Sequence, residues 1–251
     1  MSRPLPDPRK LRAEPTAAIT VVYAGEVPYL TAWEWQRQLA RRRAADEIGD
    51  VLLLLEHPRT YTLGRRADET NLVFDAAERE RRGIELHHID RGGDVTYHGP
   101  GQLVGYPILR LDGPRVVDHV RALETINIEV AASYGVAAER IEGLSGVWVD
   151  GAKLTAVGVH VTAGAVTTHG WATNVTTDLT DFTGIVPCGI ADRPVTSLER
   201  LGVAADVTAV AERSAAVVGE VFDAEIARAH LDDLDLAAAP HETVTGPGRA
   251  G

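Results

Sequence analysis

The sequence predicts an α+β fold with a mixed, largely antiparallel sheet flanked by helices. Helix-like and strand-like segments are interspersed along the chain, and several neighbouring strands are joined by short turns rather than by crossover helices. Asp150-Gly151 lies between two apolar runs and predicts a hairpin, because this dipeptide tolerates the positive φ angles of a type I′ turn. With 251 residues, 45% of them hydrophobic, the chain can bury one sizeable core, so we expect a single domain at 18–228.

The two ends of the chain differ in composition from this central part. Residues 1–17 contain prolines and charged residues without apolar periodicity, which predicts a flexible extension. Residues 229–251 are first acidic and then rich in alanine, proline and glycine, which predicts a mostly disordered tail. We therefore expect the chemistry to lie within the central domain.

Each element of the central domain has its own sequence signal. Runs rich in apolar and β-branched residues predict strands at 18–23, 51–55, 84–89, 102–109, 147–149, 152–161 and 166–175. Periodic or charged segments bounded by capping residues, proline or glycine predict helices at 31–39, 75–82, 114–134, 197–201 and 207–226. The first helix is expected to begin with a capping box formed by Thr31 and Glu34.

Charge, cysteine content and hydropathy disfavour several classes of protein. A formal net charge of −11 and a pI near 5.3 argue against non-specific binding to nucleic acids or anionic membranes, because both require a basic surface. The single cysteine, Cys188, cannot form an internal disulfide and is compatible with a reducing compartment. No run approaches the roughly 18 apolar residues of a membrane span, and the N-terminal residues lack the apolar core of a secretory signal. We therefore expect a cytoplasmic protein with neither nucleic-acid nor membrane partners.

One stretch, from Arg91 to Ile108, is unlike any core element. It places several glycines and Pro100 between two apolar runs, together with Arg91, Tyr97 and His98 as hydrogen-bonding side chains. Such a segment at a strand end is suited to contact a ligand closely. The alternative is a glycine-rich hairpin that needs only tight turns.

A second segment surrounds Cys188. Pro187 fixes the backbone before the thiol, and Gly189 lets the following amides turn toward a ligand, so the sulfur could lie beside oxyanion donors. A catalytic thiol needs a nearby cation or base, and Lys153 is a candidate, because the chain has only one other lysine, Lys10. The alternatives are a buried filler cysteine and a surface lysine.

Metal and nucleotide sites have little support in the sequence. The nine histidines are scattered, without an H-E-x-x-H motif or paired cysteines. Neither a G-x-x-x-x-G-K-[ST] loop nor a G-x-G-x-x-G turn between a strand and a helix is present. We therefore expect no cofactor, neither ATP nor a metal ion.

Several ordered motifs together resemble the lipoyl(octanoyl) transferases. The resemblance extends from about Tyr61 to Leu198. Its motifs are Arg91-Gly92-Gly93-x-Val95-Thr96-Tyr97-His98-Gly99-Pro100-Gly101-Gln102-Leu103, Gly146-Val147-Trp148-Val149, Lys153 with Gly158-Val159, His169-Gly170 with Asn174-Val175, and Ile185-Val186-Pro187-Cys188-Gly189-Ile190.

The resemblance implies a fold related to biotin and lipoate protein ligases and makes 18–228 a catalytic acyltransferase domain. The implied reaction transfers an octanoyl group from octanoyl-acyl carrier protein to a lysine of lipoyl domains through an octanoyl-cysteine thioester, the first step of endogenous protein lipoylation. The implied acceptors are lipoyl domains of 2-oxoacid dehydrogenase E2 subunits and the glycine cleavage H protein. Because the donor is already a thioester, no ATP is required.

The same resemblance assigns roles to particular residues. Cys188 is the implied nucleophile, and Lys153 is implied to lower the pKa of its thiol and to act as general acid and base. The implied substrate pocket is formed by Arg91, Gly92, Gly93, Asp94, Val95, Thr96, Tyr97, His98, Ala156, Val157, Gly158, Gly170, Trp171 and Ala172.

Two other functions remain open from the sequence. One is an ATP-dependent lipoate or biotin ligase of the same fold, and the other is a non-catalytic acyl- or lipoyl-binding protein in which Cys188 is only buried. A further hypothesis concerns two basic runs, Arg41–Arg43 and Arg65–Arg66, which could dock an acidic carrier protein. The alternative for these arginines is a solvated surface.

Overall fold

A computed structural model describes residues 7–113, 115–186 and 193–236. Its strands are β1 (Ile19–Glu26), β2 (Asp50–Glu56), β3 (Thr60–Leu63), β4 (Glu85–His88), β5 (Val95–His98), β6 (Gln102–Ile108), β7 (Val147–Val149), β8 (Ala152–Val161), β9 (Thr167–Asn174) and β10 (Ile226–Arg228). Its α-helices are α1 (Tyr29–Ala44), α2 (Ala76–Arg82), α3 (Val116–Ser133) and α4 (Val207–Phe222). Short 3-10 helices span Pro8–Lys10, Glu69–Asn71, Leu179–Gly184, Glu199–Leu201 and Leu231–Leu234.

The strands form a large sheet and a small one. The large sheet has the order β10-β1-β2-β6-β9-β8-β7, in which β1 pairs in parallel with β10 and β2 and every other pair is antiparallel. The small sheet has the order β4-β3-β5, with one parallel and one antiparallel pair. The predicted α+β class with a mixed, largely antiparallel sheet is therefore confirmed.

Helices cover both faces of the large sheet. On one face, α3 and α4 pack against each other and enclose the larger apolar cluster, which contains Leu123, Ile126, Val217 and Trp171. On the other face, α1 packs against β6 and β9 through a second cluster that includes Leu39. Alternate side chains of the central strands thus point into two different apolar layers.

The predicted hairpin between β7 and β8 is confirmed by its backbone. Asp150 and Gly151 have φ angles of +49° and +78°, as a type I′ turn requires. The start of α1 was predicted two residues too late, because the helix begins at Tyr29 without a side-chain cap, and the N–H of Ala32 already bonds the carbonyl of Pro28.

The described residues of both predicted end segments pack against the domain, so the flexible extension is wrong for residues 7–17, whereas a mostly disordered tail stays a prediction. Leu11 is fully buried, and Arg12 donates from Nε to Asp50 at 2.6 Å, so residues 7–17 pack against the domain instead of extending from it. Leu234 is also buried, and its carbonyl accepts a hydrogen bond from Arg42. A few apolar side chains in each segment outweigh its polar composition, a feature that average composition does not reveal. Residues 1–6 and 237–251 lie outside the described part.

None of the helices in the described ranges combines the length and apolar character needed to cross a membrane.

Candidate active site

A cavity that opens to solvent lies between the large sheet and the small sheet. Strands β8 and β9 contribute its floor, and the glycine-rich stretch contributes a wall. The lining residues are Tyr29, Arg91, Gly92, Gly93, Asp94, Val95, Thr96, His98, Gln102, Tyr106, Ser145, Lys153, Ala156, Val157, Gly158, His169, Gly170, Trp171, Ala172, Asn174, Phe182 and Val195.

The floor is built from two cross-strand pairs of small residues. Ala156 pairs with Ala172, and Gly158 pairs with Gly170, so methyl groups or hydrogen atoms are all that project from these positions. Because β8 contributes lining residues from Lys153 to Gly158, the cavity follows the strand for about 17 Å, at roughly 3.4 Å per residue. The cavity is therefore elongated, a shape suited to an extended chain.

The glycine-rich wall is held against β8 by its backbone. The N–H of Gly92 donates to the carbonyl of Val159 at 2.9 Å, and a Cβ added to Gly158 would lie 3.0 Å from the Gly92 carbonyl oxygen. The Arg91 side chain also holds this wall in place, because it donates to the carbonyl of Thr62 at 2.7 Å and to the Thr62 hydroxyl at 2.9 Å. The glycines thus serve close approach of backbone segments, and the Arg91 side chain is a structural support of the cavity.

A β-bulge at one end of the floor turns Lys153 into the cavity. Val147 pairs with Thr155 and Trp148 pairs with Lys153, so Leu154 is the extra residue of β8. Leu154 is buried in the cluster beneath α3 and α4, whereas Lys153 lines the cavity and is only 7% exposed. We call the part of the cavity around Lys153 the lysine end.

The segment that carries Cys188 is described only at its two flanks. Residues 187–192 lie outside the described part of the chain. Before them, the N–H of Val186 donates to the carbonyl of Asn71, and after them the carbonyl of Pro194 accepts from the N–H of Lys153 at 2.9 Å. The returning chain therefore pairs with β8 at Lys153 itself, while the role of Cys188 stays a prediction.

A chain of buried amide side chains crosses the lysine end. Gln102 accepts a hydrogen bond from His98 Nδ1 at 2.9 Å through Oε1 and donates through Nε2 to Asn174 Oδ1 at 2.9 Å. Because Oε1 is an acceptor only, His98 must carry its proton on Nδ1. Asn174 in turn donates to the carbonyl of Thr196, whose N–H bonds the carbonyl of Lys153. This network fixes the glycine-rich stretch, β9 and the returning chain relative to one another.

The opposite end of the cavity contains buried rings. His57 Nδ1 lies 2.7 Å from the carbonyl of Val27, so Nδ1 donates and Nε2 accepts from the Tyr106 hydroxyl at 2.7 Å. Burial lowers the pKa of His57 to about 4 and raises the pKa values of Tyr29 and Tyr106 well above the ordinary value of tyrosine. These rings therefore stay neutral at neutral pH.

A histidine and a carboxylate complete this opposite end. His169 has a φ of +57°, its N–H donates to the side chain of Gln36, and its Nε2 lies 2.8 Å from Asp90 Oδ1. The hydrogen bond from His169 lowers the pKa of Asp90 to about 2, whereas burial of the imidazole outweighs Asp90 and lowers the pKa of His169. A neutral Nε2–H therefore donates to an ionised carboxylate. We call the region of Tyr29, Tyr106 and His169 the histidine end.

Nearly all of the predicted pocket residues line this one cavity. Tyr97 does not, because its ring packs against Tyr61 and Phe182 and its hydroxyl donates to Asp181 at 3.2 Å. Sequence patterns missed Tyr29 and Tyr106, which come from different elements and carry no shared motif. His169 had a signal, since it precedes a glycine in a strand.

The two basic runs differ in their surroundings. Arg43 is buried and bonds Asp50 at 2.7 Å, so the docking hypothesis is wrong for this residue. Arg41 is exposed and Arg42 is half-buried, so docking through these two arginines stays a prediction. Arg65 and Arg66 are exposed, and their N–H groups bond the glycine-rich stretch at Arg91 and Gly93. The second run therefore lies beside the cavity wall.

Among the described residues, no group of three or more histidine, cysteine, aspartate or glutamate side chains is arranged to hold a metal ion.

Fold and cavity define an α+β domain that encloses an elongated site between two sheets. The sequence profile of the lipoyl protein ligase A/B catalytic domain matches residues 28–218. The chain therefore belongs to this family and, within it, to the lipoyl(octanoyl) transferases.

Relatives and solved structures agree with this placement. A protein of Chloroflexus aggregans named octanoyltransferase is 51% identical over 210 residues, covering 82% of this chain and 95% of the relative. An octanoyltransferase of Chloroflexus aurantiacus is 52% identical over 212 residues, with the same coverage of 82% and 95%. A bipartite lipoate protein ligase of Thermoplasma acidophilum is 17% identical, superposes with a TM-score of 0.69, and is matched over 87% of this chain and 90% of its own. This last likeness confirms the lipoate ligase fold.

Proposed function

We propose that this protein transfers an octanoyl group from octanoyl-acyl carrier protein to a lysine of lipoyl domains. The proposed acceptors are the lipoyl domains of 2-oxoacid dehydrogenase E2 subunits and the glycine cleavage H protein. The observation that carries the proposal is the elongated cavity, floored by alanine and glycine pairs, with a buried lysine at one end. Family membership and relatives named octanoyltransferase support the acyl group and the reaction class.

In the first proposed half-reaction, Cys188 is the nucleophile. Its thiolate attacks the carbonyl carbon of the donor thioester, and collapse of the tetrahedral intermediate breaks the bond to the carrier sulfur. The carrier leaves as a thiol after it takes a proton from Lys153. Backbone amides beside Cys188 would stabilise the oxyanion, a contribution of typically about 3 kcal/mol per donor.

In the second half-reaction, Lys153 acts as the base. The acceptor lysine attacks as the neutral amine, after its ammonium has lost one proton to solvent. As its nitrogen attacks the octanoyl-cysteine thioester, Lys153 takes the second proton, which the nitrogen must lose to become an amide. The new amide bond forms while the bond to Cys188 breaks, which restores the thiolate. Because the energy of the donor thioester drives amide formation, the reaction requires neither ATP nor a metal ion.

The proposal is tested by the mass of a covalent intermediate. Incubation with octanoyl-acyl carrier protein, without acceptor, is expected to add the mass of one octanoyl group to the protein. Peptide mapping should place the adduct on Cys188, and addition of a lipoyl domain should remove it. Cys188→Ser is the control, and an equal adduct on this variant would contradict the assignment of the nucleophile.

A parallel assay separates this function from an ATP-dependent ligase. Transfer from octanoyl-acyl carrier protein is expected to proceed at full rate after removal of ATP with hexokinase and glucose. Transfer of free octanoate that depends on ATP would instead favour a ligase. Tight binding of an octanoyl group without any adduct or turnover would favour a non-catalytic binding protein.

The exposed pair Arg65–Arg66 is the proposed docking site for the acidic carrier protein. Reversal of both charges to glutamate is expected to raise KM for the carrier and to weaken its dependence on salt, because fewer ion pairs form with the partner. Kinetics that do not change would return these arginines to the role of a solvated surface.

A further inference from the structure

The indole ring of Trp148 has two cations close to its face. The Nζ of Lys153 lies 4.6 Å from the ring centroid, and the Cζ of Arg193 lies 5.7 Å from it. Both distances are within the range of about 6 Å over which the negative face of an aromatic ring attracts a cation. Trp148 thus contacts the side chain at the lysine end and also the chain that returns after residues 187–192.

Trp148 is itself held rigidly. Its side chain is 1% exposed, and its backbone exchanges two hydrogen bonds with Glu139, at 2.8 and 2.9 Å. It also pairs directly with Lys153 across the hairpin, on the side of the bulge at Leu154. The ring is therefore a fixed surface against which a flexible side chain can be ordered.

The stem of Lys153 is confined from another direction by Gly146. A Cβ added to Gly146 would lie 3.6 Å from the Lys153 Cε and 2.5 Å from the carbonyl oxygen of Thr155. Gly146 has a φ of +110°, and its N–H donates to the buried carboxylate of Glu124 at 3.1 Å. The aliphatic part of the Lys153 side chain therefore runs close to the backbone at Gly146, and its amino group then reaches the indole ring of Trp148.

Such confinement matters because lysine is intrinsically mobile. Its amino group is a compact charge on a stem with four rotatable bonds, so an unrestrained Nζ samples many positions. Proton transfer requires the donor and the acceptor to lie within hydrogen-bond distance. A ring face that restricts Nζ would raise the fraction of time that it spends in a productive position.

We propose that Trp148 is a positioning residue for Lys153 and that its ring, shared with Arg193, fixes the amino group relative to the chain that returns to β8. The catalytic part of this inference rests on the proposed octanoyl transfer. The geometric part does not, because it concerns only the orientation of Lys153 on the indole.

Nuclear magnetic resonance can test the geometric part in the whole protein. The chain has only two lysines, so growth with isotopically labelled lysine gives two sets of Cε–Hε signals. The Lys153 signal is expected to be shifted upfield by the ring current of Trp148, whereas Lys10, which is exposed, serves as the internal reference. A Lys153 signal at the position of Lys10 in the wild-type protein would overturn the proposal without affecting the proposed function.

Kinetics of two Trp148 variants test the catalytic part. Trp148→Leu is expected to lower kcat for octanoyl transfer about tenfold with little change in KM, which corresponds to loss of one cation–π contact. Trp148→Phe, which keeps a ring, should recover most of this rate, and Arg193→Gln should retain the Lys153 shift because the ring is intact. Comparable kcat values in the folded Leu and wild-type proteins would overturn the positioning role.

Folding and function are separated by two further readouts. Circular dichroism and thermal unfolding show whether each Trp148 variant is folded, and the spectrum of Trp148→Phe supplies the ring-current test if Trp148→Leu unfolds. If wild-type protein shows the upfield Lys153 signal but no octanoyl transfer, the proposed function fails while the orientation of Lys153 stands. If transfer occurs and the signal is unshifted, only the role of Trp148 fails.

Discussion

The lysine end and the histidine end of the cavity are built by irregularities of two neighbouring strands, β8 and β9, but the irregularities present different chemistry. At the lysine end, a bulge at Leu154 turns the amine of Lys153 into the cavity beside an indole ring. At the histidine end, a positive φ at His169 directs an imidazole toward Asp90. One end thus presents a group that can carry protons between reactants, and the other holds neutral, buried rings.

This difference indicates that the two ends of the cavity have different roles. The histidine end is closed by groups whose hydrogen bonds are already made within the protein, as in the contact of His57 with Tyr106. The lysine end adjoins the returning chain at Pro194 and Thr196. We infer that the lysine end performs the chemistry and that the histidine end shapes the site for the remote part of the substrate.

The largest expected effect comes from removing the amine. Lys153→Met should lower octanoyl transfer about 10²- to 10⁴-fold, the usual contribution of a general acid or base. Lys153→Arg should lower octanoyl transfer by a similar factor, because a guanidinium keeps its proton at neutral pH. The matched control is Lys10→Met, and steady-state kinetics give the measurement. An active Lys153→Arg enzyme would mean that only positive charge is needed at this end.

A substitution of Gly146, beside the lysine end, should lower the stability of the protein. Gly146→Ala places a Cβ 2.5 Å from the carbonyl of Thr155 at a φ of +110°, so we expect it to lower the free energy of unfolding by about 3 kcal/mol. Gly143→Ala is the control, because its φ of +80° is also positive but nothing lies within 4 Å of the added Cβ. This control should cost about 1 kcal/mol in urea unfolding. Equal losses of unfolding free energy in the two variants would show that the backbone at Thr155, beside the bulge, can shift away from the added Cβ.

Acid should destabilise the fold through its buried imidazoles. Burial lowers the pKa values of His57 and His119 to about 4. The unfolded chain binds protons at about 6.5, so folded-state stability is lost as the pH falls from 6.5 through 4. His119 lies away from the cavity, and neither of its ring nitrogens has a hydrogen-bond partner within the described part of the chain.

Replacement of His119 separates its contribution to the pH dependence of stability from the contribution of the cavity residues. His119→Leu should remove about 2 kcal/mol of the stability lost between pH 7.5 and pH 5, since leucine has no proton to bind. The acid loss that remains then belongs in part to the histidine end. Urea unfolding at both pH values gives the measurement, and an unchanged pH dependence would show that His119 is accessible to protons in the folded protein.

Sequence patterns predicted those features that depend on neighbours in the chain. The turn at Asp150-Gly151 follows from the φ angles that the dipeptide tolerates, and the glycine-rich wall follows from its composition. The bulge at Leu154 has no sequence signal, because it depends on how β7 aligns with β8. Tyr29 and Tyr106 meet only through the pairing and packing of distant elements, so spacing along the chain cannot reveal the histidine end.

The smallest expected effect tests whether the histidine end binds rather than reacts. His169→Gly removes the ring but suits the φ of +57°, because glycine adopts this conformation without strain. We expect KM for the octanoyl donor to rise about tenfold, equivalent to about 1.4 kcal/mol of binding, with kcat nearly unchanged. The control is His160→Gln, since His160 lies 3.9 Å from Asp90 and is absent from the cavity lining. A fall in kcat at constant KM would instead place part of the chemistry at the histidine end, and the two ends would no longer differ in role.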